Sequence, residues 1–169
     1  MGRADTPSKR STPMDVTLRP FEDDDLPRLR RWLAADHVRP WFEQPEDWMA
    51  EVEGRHGEYA WISHFVIEAD GDPAGFCQLY PFSASGEDWN GALPVEGTYS
   101  LDYLLGEPTL LRRGIARAAL SQLIGLIAAE PDAERIIVQP DRENVASRGL
   151  LRALGFAYDE ADDLFAMDV

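Results

Sequence analysis

Apolar positions along this chain recur with two periods, and the switches between them divide it into elements. Val16 to Arg19 alternates as a short strand. Beyond Asp24 or Asp25, either of which suits a helix N-cap, Leu26, Leu29, Trp32 and Leu33 fall on one helical face. His37 to Phe42 reads as an aromatic-bearing loop, and Glu46 to Gly54 as a weaker helix. Trp61 to Ala69 and Gly75 to Phe82 are strand-like runs joined by Asp70-Gly71-Asp72-Pro73, a hairpin signal. Ser83 to Gly97 is a long loop rich in Gly, Ser and acid, followed by a strand over Tyr99 to Leu105. A helix is expected from about Gly114 to Ala129, ended by Pro131, then a mostly apolar strand from Arg135 to Gln139. Asn144 suits the cap of a helix through Leu154, Gly155-Phe156 stops it, and Leu164 to Val169 forms a closing strand.

That order predicts a single α/β (α+β) domain over residues 15–169. Residues 1–14 are polar with two prolines and are expected to be a disordered tail. There is no internal repeat. A length of 169 residues suffices for one adequate core.

Composition narrows the function classes. The net charge is −15, and from Met14 onward thirteen basic residues face thirty acidic ones. Such a surface repels nucleic acid and anionic membranes and attracts cations, so neither is an expected partner. No apolar run is long enough to span a bilayer, and the N-terminus lacks a signal-peptide core. The single cysteine, Cys77, lies in an apolar strand, reads as a buried inert thiol and fits a reducing cytoplasm. His37, His56 and His64 show no metal-ligand spacing, so no metal site is expected.

The candidate chemistry begins at Leu111-Arg112-Arg113-Gly114-Ile115-Ala116, a basic, glycine-bearing turn between a strand and a long apolar helix. The first N–H groups of a helix lack intrahelical partners and its dipole favours negative charge, so the turn suits a phosphate-bearing ligand.

The turn, the element order, and Asn144 to Phe156 (a late helix followed by a Gly-Phe strand start) together resemble the GNAT superfamily of acyl-CoA-dependent N-acyltransferases. The resemblance implies a mixed, mostly antiparallel central sheet flanked by helices. It also implies acetyl-CoA as donor, held by Leu104, Leu111, Arg112, Arg113, Gly114, Ile115, Ala116 and Asn144. Arg112 stands where many members carry glycine, and Leu111 where many carry glutamine or arginine.

A narrower likeness covers Val16 to Phe156. Val16-Thr17-Leu18-Arg19, His37-Val38-Arg39-Pro40-Trp41-Phe42, Gly75-Phe76-Cys77-Gln78-Leu79-Tyr80, Ser85-Gly86-Glu87-Asp88-Trp89 and Leu101-Asp102-Tyr103 are similar, in sequence and spacing, to segments of the aminoglycoside 6′-N-acetyltransferases. By that resemblance Asp102 is the catalytic residue that receives the amine proton and docks the ammonium. Backbone N–H groups near Tyr103 and Leu104 would stabilise the developing oxyanion. Many members carry a tyrosine that protonates the leaving thiolate where Leu151 stands here. A tyrosine restored there would raise turnover if that proton limits the rate.

The acceptor would be a cationic small molecule bound by Trp41, Phe42, Tyr80, Glu87, Asp88, Trp89, Asp102 and Gln139, the last replacing an aspartate of close relatives. Glu96, Asp159, Asp162 and Asp163 are further acids that could ring a polycation. Trp32 and Trp61 read as packing residues. The leading expectation is therefore an aminoglycoside 6′-N-acetyltransferase, monomer or homodimer. A sibling acylating a lysine- or hydroxylysine-type amine or a protein N-terminus, and a non-catalytic acyl-CoA-binding module, remain as alternatives.

Overall fold

The computed structural model describes residues 13–169 and places seven strands in one sheet of order β1-β2-β3-β4-β5-β7-β6. The strands are β1 (Val16–Pro20), β2 (Ser63–Ala69), β3 (Asp72–Pro81), β4 (Thr98–Leu105), β5 (Arg135–Val138), β6 (Ala157–Asp159) and β7 (Leu164–Asp168). The helices are α1 (Leu26–Leu33), α2 (Pro45–Glu53), the single turn α3 (Phe82–Ser85), α4 (Ile115–Ala128) and α5 (Val145–Ala153). Every pairing is antiparallel except β4 with β5. This is the mixed, mostly antiparallel, helix-flanked sheet that the resemblance implied. No helix among the described residues is long and apolar enough to cross a membrane.

Most elements arise where the hydrophobic pattern placed them, with ends moved by one to three residues. The β2–β3 hairpin turns through Asp70 (φ 49°) and Gly71 (φ 83°), the two positive angles a tight turn needs to match strand twist. Three details differ from expectation. The expected tail over 1–14 lies outside the described residues except for Pro13 and Met14, and Met14 is half-buried against the core. The long loop opens with the helical turn α3, and the three-residue β6, too short to show a period, follows Gly155-Phe156. Asp25 precedes α1 as the end of a 3-10 turn (Asp23–Asp25) rather than as a simple cap. Its buried carboxylate accepts from the Glu22 N–H (3.0 Å), from both terminal nitrogens of Arg19 (2.7 and 2.8 Å) and from Arg28 (2.6 Å). These contacts tie β1 to α1 and, led by the Arg19 hydrogen bond, hold the carboxyl below its usual range.

Strand alternation assigns the two faces of the sheet. Cys77, Leu79, Leu101 and Tyr99 point to the face covered by Ile115, Ala119, Leu120, Leu123 and Ile127 of α4 and Leu151 of α5. Cys77 is fully buried, and burial pushes its thiol well above the usual range. On the other face, Val66, Phe76 and Leu104 pack against Leu29, Trp32 and Leu33 of α1 and Met49 and Val52 of α2. Asp102 alternates with Tyr103 and therefore lies on the α1/α2 face, while Tyr103 donates its hydroxyl hydrogen to Ser147 Oγ of α5 at 2.8 Å.

The chain leaving β4 is clamped to α1. Gly106 lies flat against the Trp32 indole, whose N–H donates to Glu107 Oε1 at 3.0 Å. A Cβ at position 106 would sit 2.0 Å from the Trp32 ring. Gly106→Ala must displace a fully buried indole, and we expect it to lower unfolding free energy by about 1–3 kcal/mol in urea denaturation.

Candidate active site

β4 and β5 run parallel for only three pairs, Thr98–Arg135, Tyr99–Ile136 and Ser100–Ile137. Beyond Ser100, β4 continues to Leu105 with strand pairing to β3 alone. The β5-facing edge of Leu101–Leu105 is thus left without a strand partner, and a cleft of about 800 Å³ opens there. An unpaired strand edge carries backbone donors and acceptors that need partners. The β3–β4 register is unbroken, so the opening comes from strand divergence; the register shift in this sheet lies instead at Ile67/Glu68 of β2. His37 pins the aromatic loop to the end of β4 by donating from Nε2 to the Leu105 carbonyl at 2.8 Å.

One end of the cleft is built for an anion. Gly114, at φ 78°, is the N-cap of the fourteen-residue α4, and no side chain caps that end. The helical ladder starts with the Ala118 N–H on the Gly114 carbonyl (3.1 Å), leaving the first-turn N–H groups of Ile115, Ala116 and Arg117 for a ligand. Arg112 also has a left-handed backbone, φ 61°, which explains in physical terms why glycine suits this position. Holding an arginine there costs about 1 kcal/mol. Leu104, Leu111, Arg112, Gly114, Ile115, Ala116 and Asn144 all line the cleft; Arg113 does not. Asn144 caps α5, its side chain accepting from the Ser147 N–H at 3.2 Å.

The other end is acidic and aromatic. Asp102 Oδ2 accepts from Gln78 Nε2 at 2.9 Å, the two residues being register partners on β4 and β3. Burial pushes the Asp102 carboxyl up to about 6; the Gln78 hydrogen bond opposes this and the charge of Glu87 adds to it. Glu51 of α2 faces the same space, and burial together with Asp102, Glu87 and Asp47 pushes it up to about 7. Glu87 accepts from the Trp89 indole N–H, which orients the loop carboxylate toward the cleft. Trp61 meets Tyr80 edge-on (5.7 Å between centroids, 84°), and Phe42 tilts against Trp48 at 4.9 Å.

Most of the expected site residues therefore converge. Trp41, Phe42, Tyr80, Glu87, Trp89, Asp102 and Gln139 line the cleft, whereas Asp88 is exposed outside it. Gln139 donates to the Asp163 carbonyl at 2.9 Å. Asp159, Asp162 and Asp163 serve local structure instead of the cleft: Asp163 pairs with Arg142 (3.1 Å) and accepts from Tyr158 (2.6 Å), Asp162 accepts from the Ala92 N–H (3.0 Å), and Asp159 from the Ala161 N–H (3.0 Å). Glu96 is also outside the lining.

Trp61, expected as packing, is half-buried on the cleft wall, because it precedes β2 and escapes the strand's alternation. Glu51 and Trp48 went unrecognised because α2 is short and its polar positions look like a solvated helix face. Gln78 was visible only as a motif letter. Leu151 is fully buried in the core and Leu150 faces the cleft instead, so a tyrosine at 151 would add volume to packed apolar surface.

A divergent strand pair beside a helix N-terminus, with a carboxylate on the free-edged strand, is a constellation suited to acyl transfer from a phosphate-bearing donor to an amine. Residues 22–164 match the family described as Acetyltransferase (GNAT) domain, and the chain belongs to that family as an acetyl-CoA-dependent acetyltransferase. Among curated relatives, it is 24% identical over 147 residues to the Aminoglycoside N(6′)-acetyltransferase type 1 of Klebsiella pneumoniae and to that of Serratia marcescens, covering 83% of this chain and 73% of each relative. In structure it resembles aminoglycoside acetyltransferase AAC(6′)-Ib in complex with coenzyme A (TM-score 0.78, 22% identity, 91% of this chain and 95% of that one). The same enzyme with coenzyme A and kanamycin gives a TM-score of 0.77 at equal identity and coverage. Mycobacterium smegmatis RimJ in complex with CoA-disulfide also shares the fold (TM-score 0.70, 22% identity, 94% and 86% coverage).

The raised Asp102 carboxyl gives a signed expectation. Its folded pKa exceeds the unfolded value near 4, so ionising it opposes folding. The penalty is absent below pH 4, grows as pH rises to about 6 and stays constant above. Asp102→Asn should therefore be more stable than the parent at pH 8 by about 3 kcal/mol, melting several degrees higher, and equally stable at pH 4. Thermal melts at the two pH values check this.

Proposed function

We propose that this enzyme acetylates a primary amine of a cationic small molecule, with the 6′-amine of an aminoglycoside as the leading acceptor. The observation that carries the reading is a single cleft whose α4 end offers backbone N–H groups and Arg112 to an anion, while its α2 end is acidic and aromatic. Acetyl-CoA supplies a thioester carbonyl and a pyrophosphate. Ile115, Ala116 and Arg117 N–H groups and the Arg112 guanidinium bind the pyrophosphate. The free edge of β4 near Tyr103 and Leu104 offers N–H donors to the carbonyl oxygen as negative charge builds there. Asp102 docks the acceptor ammonium and takes its proton, and a carboxyl with a pKa of about 6 is ionised yet basic enough to do so at neutral pH. Trp41, Trp61 and Trp89 give flat apolar surfaces against which sugar rings stack.

The likeness to aminoglycoside acetyltransferases and the aspartate at 102 support this acceptor over a lysine-type amine or a protein N-terminus. With tobramycin or kanamycin as acceptor, coenzyme A release followed by thiol detection should saturate. Asp102→Asn should lower kcat/KM about 100-fold or more while acetyl-CoA affinity stays within about twofold. Absence of release with either drug, despite acetyl-CoA binding, would redirect the acceptor assignment to lysine-type amines or a protein N-terminus. Arg112→Gly removes a cation and relieves the left-handed backbone. We expect acetyl-CoA Kd, read by calorimetry, to rise about three- to tenfold, with stability changed by less than about 1 kcal/mol.

A further inference from the structure

The α2 side of the cleft holds more negative charge than one amine can neutralise. Glu51, Glu87 and Asp102 share a chamber walled by Trp61 and Tyr80, and the cationic arginines lining the cleft, Arg112 and Arg117, stand at the start of α4. A second observation points to a bound donor there. Gln78 is 2% exposed and lines the cleft; its amide nitrogen is committed to Asp102, but its Oε1 has no hydrogen-bond partner among the described residues. A buried carbonyl oxygen beside a carboxylate is satisfied by one cationic N–H group that reaches both. That leaves Glu51, on the opposing helix, as a carboxyl with no hydrogen bond or ion pair among the described residues.

We propose that Glu51 sets the acceptor class by pairing with a second cationic nitrogen of the acceptor, while the first lies between Asp102 and Gln78 Oε1. The enzyme thereby selects diamines and polyamines, including diaminated sugars, over monoamines. This rests on the acetyl-acceptor reading above but is tested apart from it. Burial, and after it the facing charges of Asp102 of β4, Glu87 of the long loop and Asp47 of its own helix, hold Glu51 partly protonated near neutrality. A dication relieves that repulsion; a monocation at Asp102 relieves only part of it.

The test is binding at pH 8, read by quenching of the cleft tryptophans, with tobramycin, spermidine and n-butylamine as probes on the full chain and on Glu51→Gln. In the parent, tobramycin and spermidine should bind at least tenfold more tightly than n-butylamine. Glu51→Gln should lose at least fivefold of that preference, chiefly as a higher KM in turnover, with acetyl-CoA Kd unchanged. A parent without preference for the multiply charged amines, or a Glu51→Gln variant that retains it in full, overturns the proposal even if tobramycin is acetylated. A Glu51-dependent preference without acetylation of tobramycin upholds it and removes the aminoglycoside reading alone. Glutamine is the shape of the protonated carboxyl, and an unchanged or raised melting temperature verifies that the variant folds.

Discussion

The separation of β4 from β5 after the Ser100–Ile137 pair is the constraint on which the rest of the site depends. A parallel pair that stayed closed would satisfy its own backbone and leave no space. By diverging, the two strands expose one edge of Leu101–Leu105 while β3 still holds the other in unbroken register. The strand is therefore rigid and open at once, a combination suited to aiming backbone donors without reorganisation. The helices are arranged around this gap: α4 begins at its mouth, α5 caps its far side through Asn144 and Ser147, and α2 closes the opposite face.

The two ends of the cleft are electrostatically opposed, and each carries a local cost. At the α4 end an arginine occupies a left-handed backbone position that glycine would adopt freely, so positive charge is present at the expense of about 1 kcal/mol of strain. At the α2 end burial drives Asp102 and Glu51 toward their neutral forms, with the charge of Glu87 adding to both and that of Asp102 adding at Glu51. Sites that bind and react commonly concentrate such perturbed groups. The surrounding fold absorbs the cost through two apolar layers, one on each face of the sheet, and through anchors such as the buried Asp25 between Arg19 and Arg28.

Much of the architecture was legible along the chain. Asp70-Gly71 demands the angles it adopts, the Ile115–Ala119–Leu123–Ile127 spacing makes one helical face, and Asn144 is the cap it resembles. The candidate site was legible where residues sit in tight spacing on one element, as at Leu111 to Ala116, and at Asp102 through the family resemblance. It was illegible where a residue's role depends on what faces it. Trp61 belongs to the cleft because the chain enters β2 beside it, and Asp163 turns inward to Arg142 and Tyr158 and away from the cleft. Glu51 lies fifty-one residues before Asp102 with nothing between them to signal an encounter.

The sequence by itself determined most of the elements, the anion-suited turn and the acidic excess, because turn angles, helical periods and charge are properties of neighbouring residues; the mixed sheet followed from the family resemblance. Only the tertiary structure decided that β4 and β5 part after three pairs, that Gln78 Oε1 is left without a partner among the described residues, and which acids meet in the cleft. Strand divergence and the burial of a carboxyl are set by packing between segments distant in the chain. Local pattern carries no record of those distances.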